Sequence, residues 1–528
     1  MATRESLYRA LLALIAVLFV GALLMENAST KRELLRVQTQ TSHQQQKQES
    51  VALAAKANAE VGTTPRAPAA SSMAPISASD SELLRTLRHE GSVDAAPFRR
   101  ESIPTLYTAT SQLMRPVSPA PAPKAEVYDP EDDLPLKFDP FLANHDGSAM
   151  HLVFSMACDQ QHRLLYATVM QESAMRAGQK GPMTMIVSGC LEEHKVIVLA
   201  EPRFYYDFRV HFTPVYSPHP KSDVDDDYTP YNKPFALRHF LQNANPPIQH
   251  DIITLIDGDF VFFKPLEVNT GRNMTKYYKG KRDPETMTDE VKDGYFGSDK
   301  RFTVCGNQPC GKTSEEDGWE YYWGVGPPYI MTRNDMTAFV DDYCKFTVAS
   351  RKVSKDWMTE MYGYSLAAAN HGIKHTILSH LGVTHPYLKD ATEYWTFLDG
   401  DEAHGESEFK ENPCAHPTRI PLPRDPPVGL HFFISLYVGN AYFYKKYVPD
   451  RILECGHELL KVPGPHEWDI VTALERTNKD RSSKRHEIWG SCVLHKAVNR
   501  GVLLLKKAFC GHSGYNAFQG FQLLKDKQ

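Results

Sequence analysis

A change of texture near residue 150 limits this chain more than any other feature. Gln and Ser crowd residues 38–48, and Ala and Pro dominate from 52 to 123. Such a stretch buries too little apolar surface to offset the entropy lost on ordering it. Residues 26–147 are therefore expected to form a disordered stem, and any core must come from 148–528.

Within that second part the pattern is regular at first. Residues 151–156 read as a strand and 164–175 as a helix, which Gly178-Gln179-Lys180-Gly181 closes. Residues 183–187 read as a second strand, 233–241 as a helix and 252–256 as a buried strand. Strand, helix, strand in that order predicts a parallel α/β sheet, whose ligands gather at the carboxyl ends of its strands. Beyond residue 320 the alternation is less regular, and no internal repeat is present.

At the other end, residues 10–25 are wholly apolar and follow Arg4 and Arg9. As a helix they span roughly 24 Å, slightly short of a bilayer core. The run is longer than the apolar part of a usual signal peptide, so residues 1–25 are expected to be a short cytosolic tail and a signal-anchor helix. Ala28 and Ser29 would permit cleavage, and Lys31, Arg32 and Arg36 blunt the positive-inside rule. All nine cysteines lie after residue 150. In a secretory lumen they should pair, and Cys305–Cys310, Cys158–Cys190 and Cys492–Cys510 are the expected bridges. An odd count leaves at least one thiol over, and the lack of any CxxC argues against a zinc ribbon. Asn273-Met274-Thr275 is a glycosylation sequon. A net charge of −5 gives no basic stripe for a nucleic acid.

The sharpest chemical feature is Leu255-Ile256-Asp257-Gly258-Asp259-Phe260. Two carboxylates flank a glycine where an apolar strand ends. Alternate residues of an extended chain point the same way, so Asp257 and Asp259 can address one point. Their oxygens suit Mn²⁺ or Mg²⁺, which would bridge the phosphates of a donor, and Gly258 lets the backbone come close. The same residues fit the nucleophile loop of a haloacid-dehalogenase-type phosphatase. That fold, however, puts the loop at its first strand, and Asp399-Gly400-Asp401 downstream follows no apolar strand.

Three further features bear on a site. Trp357, Met361, Tyr364 and Ala368 recur at helical spacing, with Glu360 on their face and Gly372 at the end. A carboxylate on an apolar face must be paired or desolvated, so Glu360 is either a buried structural partner or part of an active site. His431 opens an aromatic pair, and its imidazole is either a core group or a metal ligand. Gly324-Val325-Gly326-Pro327-Pro328 is a turn that could bring a substrate against the backbone.

Taken together, these segments resemble the hydroxyproline O-arabinosyltransferase and peptidyl serine α-galactosyltransferase group of Golgi enzymes. Gly178-Gln179-Lys180-Gly181 with Cys190 resembles the group's GQPG…SC stretch, and Asn232-Lys233-Pro234 its NKP. Ile256-Asp257-Gly258-Asp259, Gly324-Val325-Gly326-Pro327-Pro328 and Glu360-Met361-Tyr362-Gly363-Tyr364 are similar to its acidic strand end, GxGPP and EMYxY segments. Leu430-His431, with Pro449, Cys455 and Leu459-Leu460 beyond, resembles its terminal segment. The matches keep the family's order. Four features depart from it: His162-Arg163-Leu164-Leu165 replaces a Trp-Gln pair, Phe432 follows His431 where the family has Tyr, and neither the insertion around Cys305 to Cys310 nor the tail after Pro463 has a counterpart.

The resemblance implies a GT-A-like fold, a Rossmann-like mixed sheet with flanking helices, over 148–528. It implies a single-pass type II protein of the Golgi or ER membrane with a luminal catalytic domain. It implies a UDP-sugar donor, of the arabinose or galactose class, and a polypeptide acceptor bearing hydroxyproline or serine. Asp257, Asp259 and His431 would hold the metal; Asn232, Lys233, Gly258, Gly324 and Gly326 would join the two acids in binding donor. Glu360 and Asp259 would serve catalysis, with retention of configuration. Two other classes fit the same residues: a catalytically silent Golgi protein that binds carbohydrate or nucleotide sugar, and a membrane-tethered hydrolase.

Overall fold

A five-stranded sheet organises the chain. The computed structural model describes residues 150–524, apart from 220, 222–223, 269–297, 324, 388–393, 402–404, 406, 440, 479, 515–519 and 523. The apolar segment 10–25, the stem, the sequon at Asn273 and Gly324 lie outside the described residues. Among the described residues no helix is long and apolar enough to cross a membrane.

Strands β1 (His151–Ala157), β2 (Met183–Ser188), β3 (Phe208–Thr213) and β4 (Ile252–Asp257) run parallel, and β6 (Tyr329–Thr332) pairs with β4 antiparallel. The spatial order is β3-β2-β1-β4-β6. Strands β1, β2 and β4 are thus where the periodicity puts them, whereas β3 adds an edge strand that it does not predict. Helix α1 (Arg163–Arg176) connects β1 to β2, and helix α3 (Asn232–Asn243) precedes β4; α2 (Glu192–Leu199) lies between β2 and β3. The turn after α1 depends on Gly181: its φ is +86° and a Cβ there would meet the Met150 carbonyl oxygen at 2.1 Å.

Both faces of the sheet are covered, as a parallel sheet requires. Leu152, Phe154 and Met156 of β1 point into one core with α1, while Val153 points into the other with α3. Helices α4 (Arg333–Val353) and α5 (Thr359–Asn370) complete the second core. They pack so closely that a Cβ on Gly363 would lie 2.4 Å from the Thr347 hydroxyl oxygen.

The tail after Pro463 completes the first core. It contains a long helix, α6 (Arg481–Gly514), interrupted by a non-helical Gly511, that packs on α1. At that contact Arg500 donates to Glu172 at 2.6 Å, with both side chains 1% exposed. Removing one partner of so buried a pair would leave an uncompensated charge.

Four disulfides are present: Cys158–Cys190, Cys305–Cys310, Cys414–Cys492 and Cys455–Cys510. The first two match the sequence expectation. The third expected bridge, Cys492–Cys510, does not form: both residues lie on α6, roughly 27 Å apart at about 1.5 Å per residue, far beyond disulfide reach. Cys344 is the buried free thiol, and burial pushes its pKa up to about 12.

Candidate metal and donor site

The strand order reverses at β1: β2 and β3 lie to one side, β4 and β6 to the other. In open α/β sheets a ligand crevice opens at such a switch point, outside the carboxyl ends of the strands. Here the carboxyl end of β1 meets that of β4, with Ser155 opposite Asp257. A cleft of about 1720 Å³ opens there, lined by Asn232, Lys233, Asp257, Asp259, Glu360 and His431 among others.

Asp257 ends β4, and the chain continues through Gly258 and Asp259 into the short strand β5 (Phe260–Phe262). Strand β5 pairs antiparallel with β7 (Gly429–His431), placing His431 opposite Phe260. This register carries a histidine 172 residues away to the acidic pair. His431 Nε2 lies 3.2 Å from Asp259 Oδ1 and 3.4 Å from Asp257 Oδ2. The Phe432 N–H donates to the Asp259 carbonyl at 3.0 Å, locking the same corner. The pairing needs glycine at 429, where a Cβ would stand 2.1 Å from the Phe260 ring.

One ligand atom from each of Asp257, Asp259 and His431 can be chosen so that all lie within 4.8 Å of one another. Neighbouring ligands of an octahedral ion with bonds of about 2.1 Å stand roughly 3 Å apart. The His431 separations match that spacing, and a donor set of two carboxylates and an imidazole suits Mn²⁺. The three residues therefore fit a divalent cation, as the sequence expectation requires.

Around this set the acids have cationic partners. Lys233, in the first turn of α3, sits 2.7 Å from Asp257 Oδ1 and 3.1 Å from Glu360 Oε1. Lys445, on the one-turn helix Lys445–Tyr447, forms an ion pair with Asp259. Burial would raise the Asp259 carboxyl, but His431 and Lys445 outweigh it and hold its pKa far below the usual range. Burial would lower the His431 imidazole, yet Asp259 and Asp257 raise it. For Lys233, burial is likewise overcome, by Asp257 and Glu360, and the pKa is raised.

Glu360 is a buried, partnered carboxylate that also borders the cleft: it is only 3% exposed and accepts a 2.5 Å hydrogen bond from the Tyr343 hydroxyl. Burial, reinforced by Asp257, pushes its pKa up against the pull of Lys233. Its position comes from α5, where Tyr364, one turn on, stacks on Tyr329 of β6 with centroids 3.7 Å apart. The backbone N–H of Glu360 donates to the Tyr228 hydroxyl at 2.9 Å. Trp357 departs from the expected face: it precedes the helix and is 67% exposed.

Asn232 lines the cleft, but its side-chain oxygen accepts from the Tyr216 N–H at 3.0 Å, so it also shapes the loop before α3. Gly258 borders the cleft, and a Cβ there would meet Met156 at 3.2 Å, so glycine serves packing against β1 as well as access. Gly326 also lines the cleft. Lys445 is the residue that sequence reasoning missed. Its only signal is the Lys445-Lys446 pair in a Tyr-rich segment, and nothing local ties that pair to Asp259.

With the geometry in place, comparison with known proteins gives a class. Residues 211–377 match the hydroxyproline O-arabinosyltransferase family N-terminal domain, a stretch that includes Lys233, Asp257, Asp259 and Glu360. Individual relatives agree. The chain is 23% identical over 395 residues to a peptidyl serine alpha-galactosyltransferase of Arabidopsis thaliana, covering 69% of this chain and 40% of that protein. It is 23% identical over 252 residues to hydroxyproline O-arabinosyltransferase RDN2 of Medicago truncatula, covering 40% of this chain and 59% of that one. The chain is thus related to the group its motifs resemble, whose named members are glycosyltransferases. It spans less than two thirds of the length of these relatives. Among solved structures, the apo form of the bifunctional glycosyltransferase WbbM aligns with a TM-score of 0.27 and 14% identity, over 46% of this chain and 43% of that one.

Proposed function

We propose that this chain is a metal-dependent, GT-A-like glycosyltransferase. It moves a sugar of the arabinose or galactose class from a UDP-sugar to the hydroxyl of hydroxyproline or serine on a polypeptide. The observation that carries the reading is the convergence of Asp257, Asp259 and His431 at the carboxyl end of β4, within a cleft large enough for a nucleotide sugar. The named relatives support the reaction class. The anchor helix and stem expected from the sequence would tether the catalytic part in the Golgi or ER lumen.

The residues divide the work by position. Asp257, Asp259 and His431 hold the cation, and Lys233 keeps Asp257 oriented by bridging it to Glu360. When bound, the cation stabilises the charge that develops on the departing diphosphate. Asn232, Gly258 and Gly326 border the donor. Glu360 acts through Lys233 and contributes negative charge near the anomeric carbon, which becomes oxocarbenium-like. The acceptor oxygen bonds to that carbon while the bond to the diphosphate oxygen breaks, and UDP leaves with the electron pair. For retention the acceptor must enter on the face that UDP leaves, so the departing phosphate oxygen is the base nearest the hydroxyl proton.

The test is to incubate the purified chain with UDP-sugars, Mn²⁺ and peptides rich in hydroxyproline or serine, and to read product masses. The expected result is a pentose or hexose added to one peptide class, abolished by chelator. Release of free sugar alone would make the chain a hydrolase, and metal-dependent donor binding without any turnover would make it a binding protein.

A further inference from the structure

The acids of the cleft are neutralised by two lysines held in different ways. Lys233 is clamped between Asp257 and Glu360 from the first turn of a helix. Lys445 comes from a one-turn helix and, among the described residues, is ion-paired with Asp259. The backbone of that turn is fixed, because the Tyr166 hydroxyl donates to the Lys445 carbonyl. The Lys445 side chain is 25% exposed, against 15% for Lys233. Its ammonium therefore ends a flexible four-carbon stem on a fixed base, with an outlet to the cleft.

We propose that Lys445 is an exchangeable counter-cation: it neutralises Asp259 while the metal site is empty, and it passes to the donor diphosphate when a divalent cation takes Asp259. This rests on the reading of Asp257, Asp259 and His431 as the metal site. A buried carboxylate without a positive partner is costly, so the empty site needs a cation on Asp259. A divalent cation chelated by Asp259 supplies that charge and repels a nearby ammonium. Lys445 would then withdraw from the carboxylate, and a donor diphosphate in the cleft that Lys445 lines would be its alternative anion. An ammonium is a point charge with rotatable donors, suited to phosphate oxygens whose exact orientation varies.

The prediction has opposite signs for two ligands. In Lys445→Met, Mn²⁺ alone should bind at least about threefold tighter, because its competitor is gone. UDP titrated at saturating Mn²⁺ should bind at least about tenfold weaker. Lys445→Arg keeps the charge and should hold UDP affinity within about threefold of the parent chain. Calorimetric titration of the full chain with Mn²⁺ alone, then with UDP in Mn²⁺, reads all three. A purely structural Lys445 weakens both ligands in Lys445→Met and overturns the proposal. So does tighter Mn²⁺ with unaltered UDP affinity, or no change in either. Asp259→Asn run alongside separates the two ideas. If it binds Mn²⁺ as the parent does, the metal-site reading itself fails; if it loses Mn²⁺ while Lys445→Met behaves like the parent, only the exchange fails.

Discussion

At the scale of single residues, the account rests on Asp259, which faces His431 on one oxygen and Lys445 on the other. Asp259→Asn preserves size and removes a charge. The variant should fold, since an amide can still meet His431 and the Phe432 N–H bonds to the backbone rather than the side chain. Transfer should fall at least about a hundredfold, roughly 2.7 kcal/mol of transition-state stabilisation. Initial rates for the parent and variant, normalised to folded protein by circular dichroism, check this. Near-normal turnover would reduce the acidic pair to an ordinary strand-end turn. Of this site, the acids were legible because an apolar strand ends on them, and alternation aims both side chains one way. Lys445 was not legible, because its partner is chosen by tertiary placement of a one-turn helix and leaves no periodic trace.

At the scale of elements, the pairing of β5 with β7 brings the parts of the site together. It is a three-residue ladder, and its register sets His431 beside Asp257 and Asp259. Gly429→Ala tests it without touching a ligand. A Cβ at 2.1 Å from the Phe260 ring must push the strands apart or turn the ring, and the ring is fully packed. The variant should lose most of its Mn²⁺ affinity although Asp257, Asp259 and His431 are all present. Titration with Mn²⁺ followed by its paramagnetic resonance signal reads the loss. Unchanged affinity would mean that the ladder does not set the site. Strands β1, β2 and β4 with helices α1 and α3 were readable from periodicity, whereas β3, whose middle residues are only half-buried, and the short helix α2 were not. The tail was not: α6 meets α1 through an Arg500–Glu172 pair whose members lie far apart in sequence. The Cys492–Cys510 expectation failed for the same kind of reason, since proximity in sequence became distance along a helix.

For the whole molecule, buried histidines link stability to pH. Burial, with help from Arg209 and His250, lowers His151 to about 3. Burial, helped by Lys264, lowers His380 to about 4, and burial lowers His495 to about 4. Each is neutral in the folded state and has an ordinary value of 6.5 when unfolded. Between those values the unfolded chain binds more protons, so stability rises with pH. The contribution is full above about 6.5 and is lost as pH falls toward 4, at up to about 1.4 kcal/mol per pH unit for each histidine. Urea unfolding at pH 7.5, 6, 5 and 4.5 should show the midpoint falling progressively below pH 6.5. His495→Gln should flatten that fall, and a midpoint independent of pH across the range would contradict it.

The central claim is that three residues from two distant segments form one divalent cation site at the switch point of the sheet. Crystals soaked with Mn²⁺ and UDP, measured on both sides of the manganese absorption edge, test it most directly. The account predicts one strong anomalous peak within coordination distance of Asp257, Asp259 and His431, with the diphosphate of UDP on its open side and Lys445 turned from Asp259 toward it. Ordered UDP in the cleft with no anomalous peak there, or manganese bound elsewhere, would contradict the account.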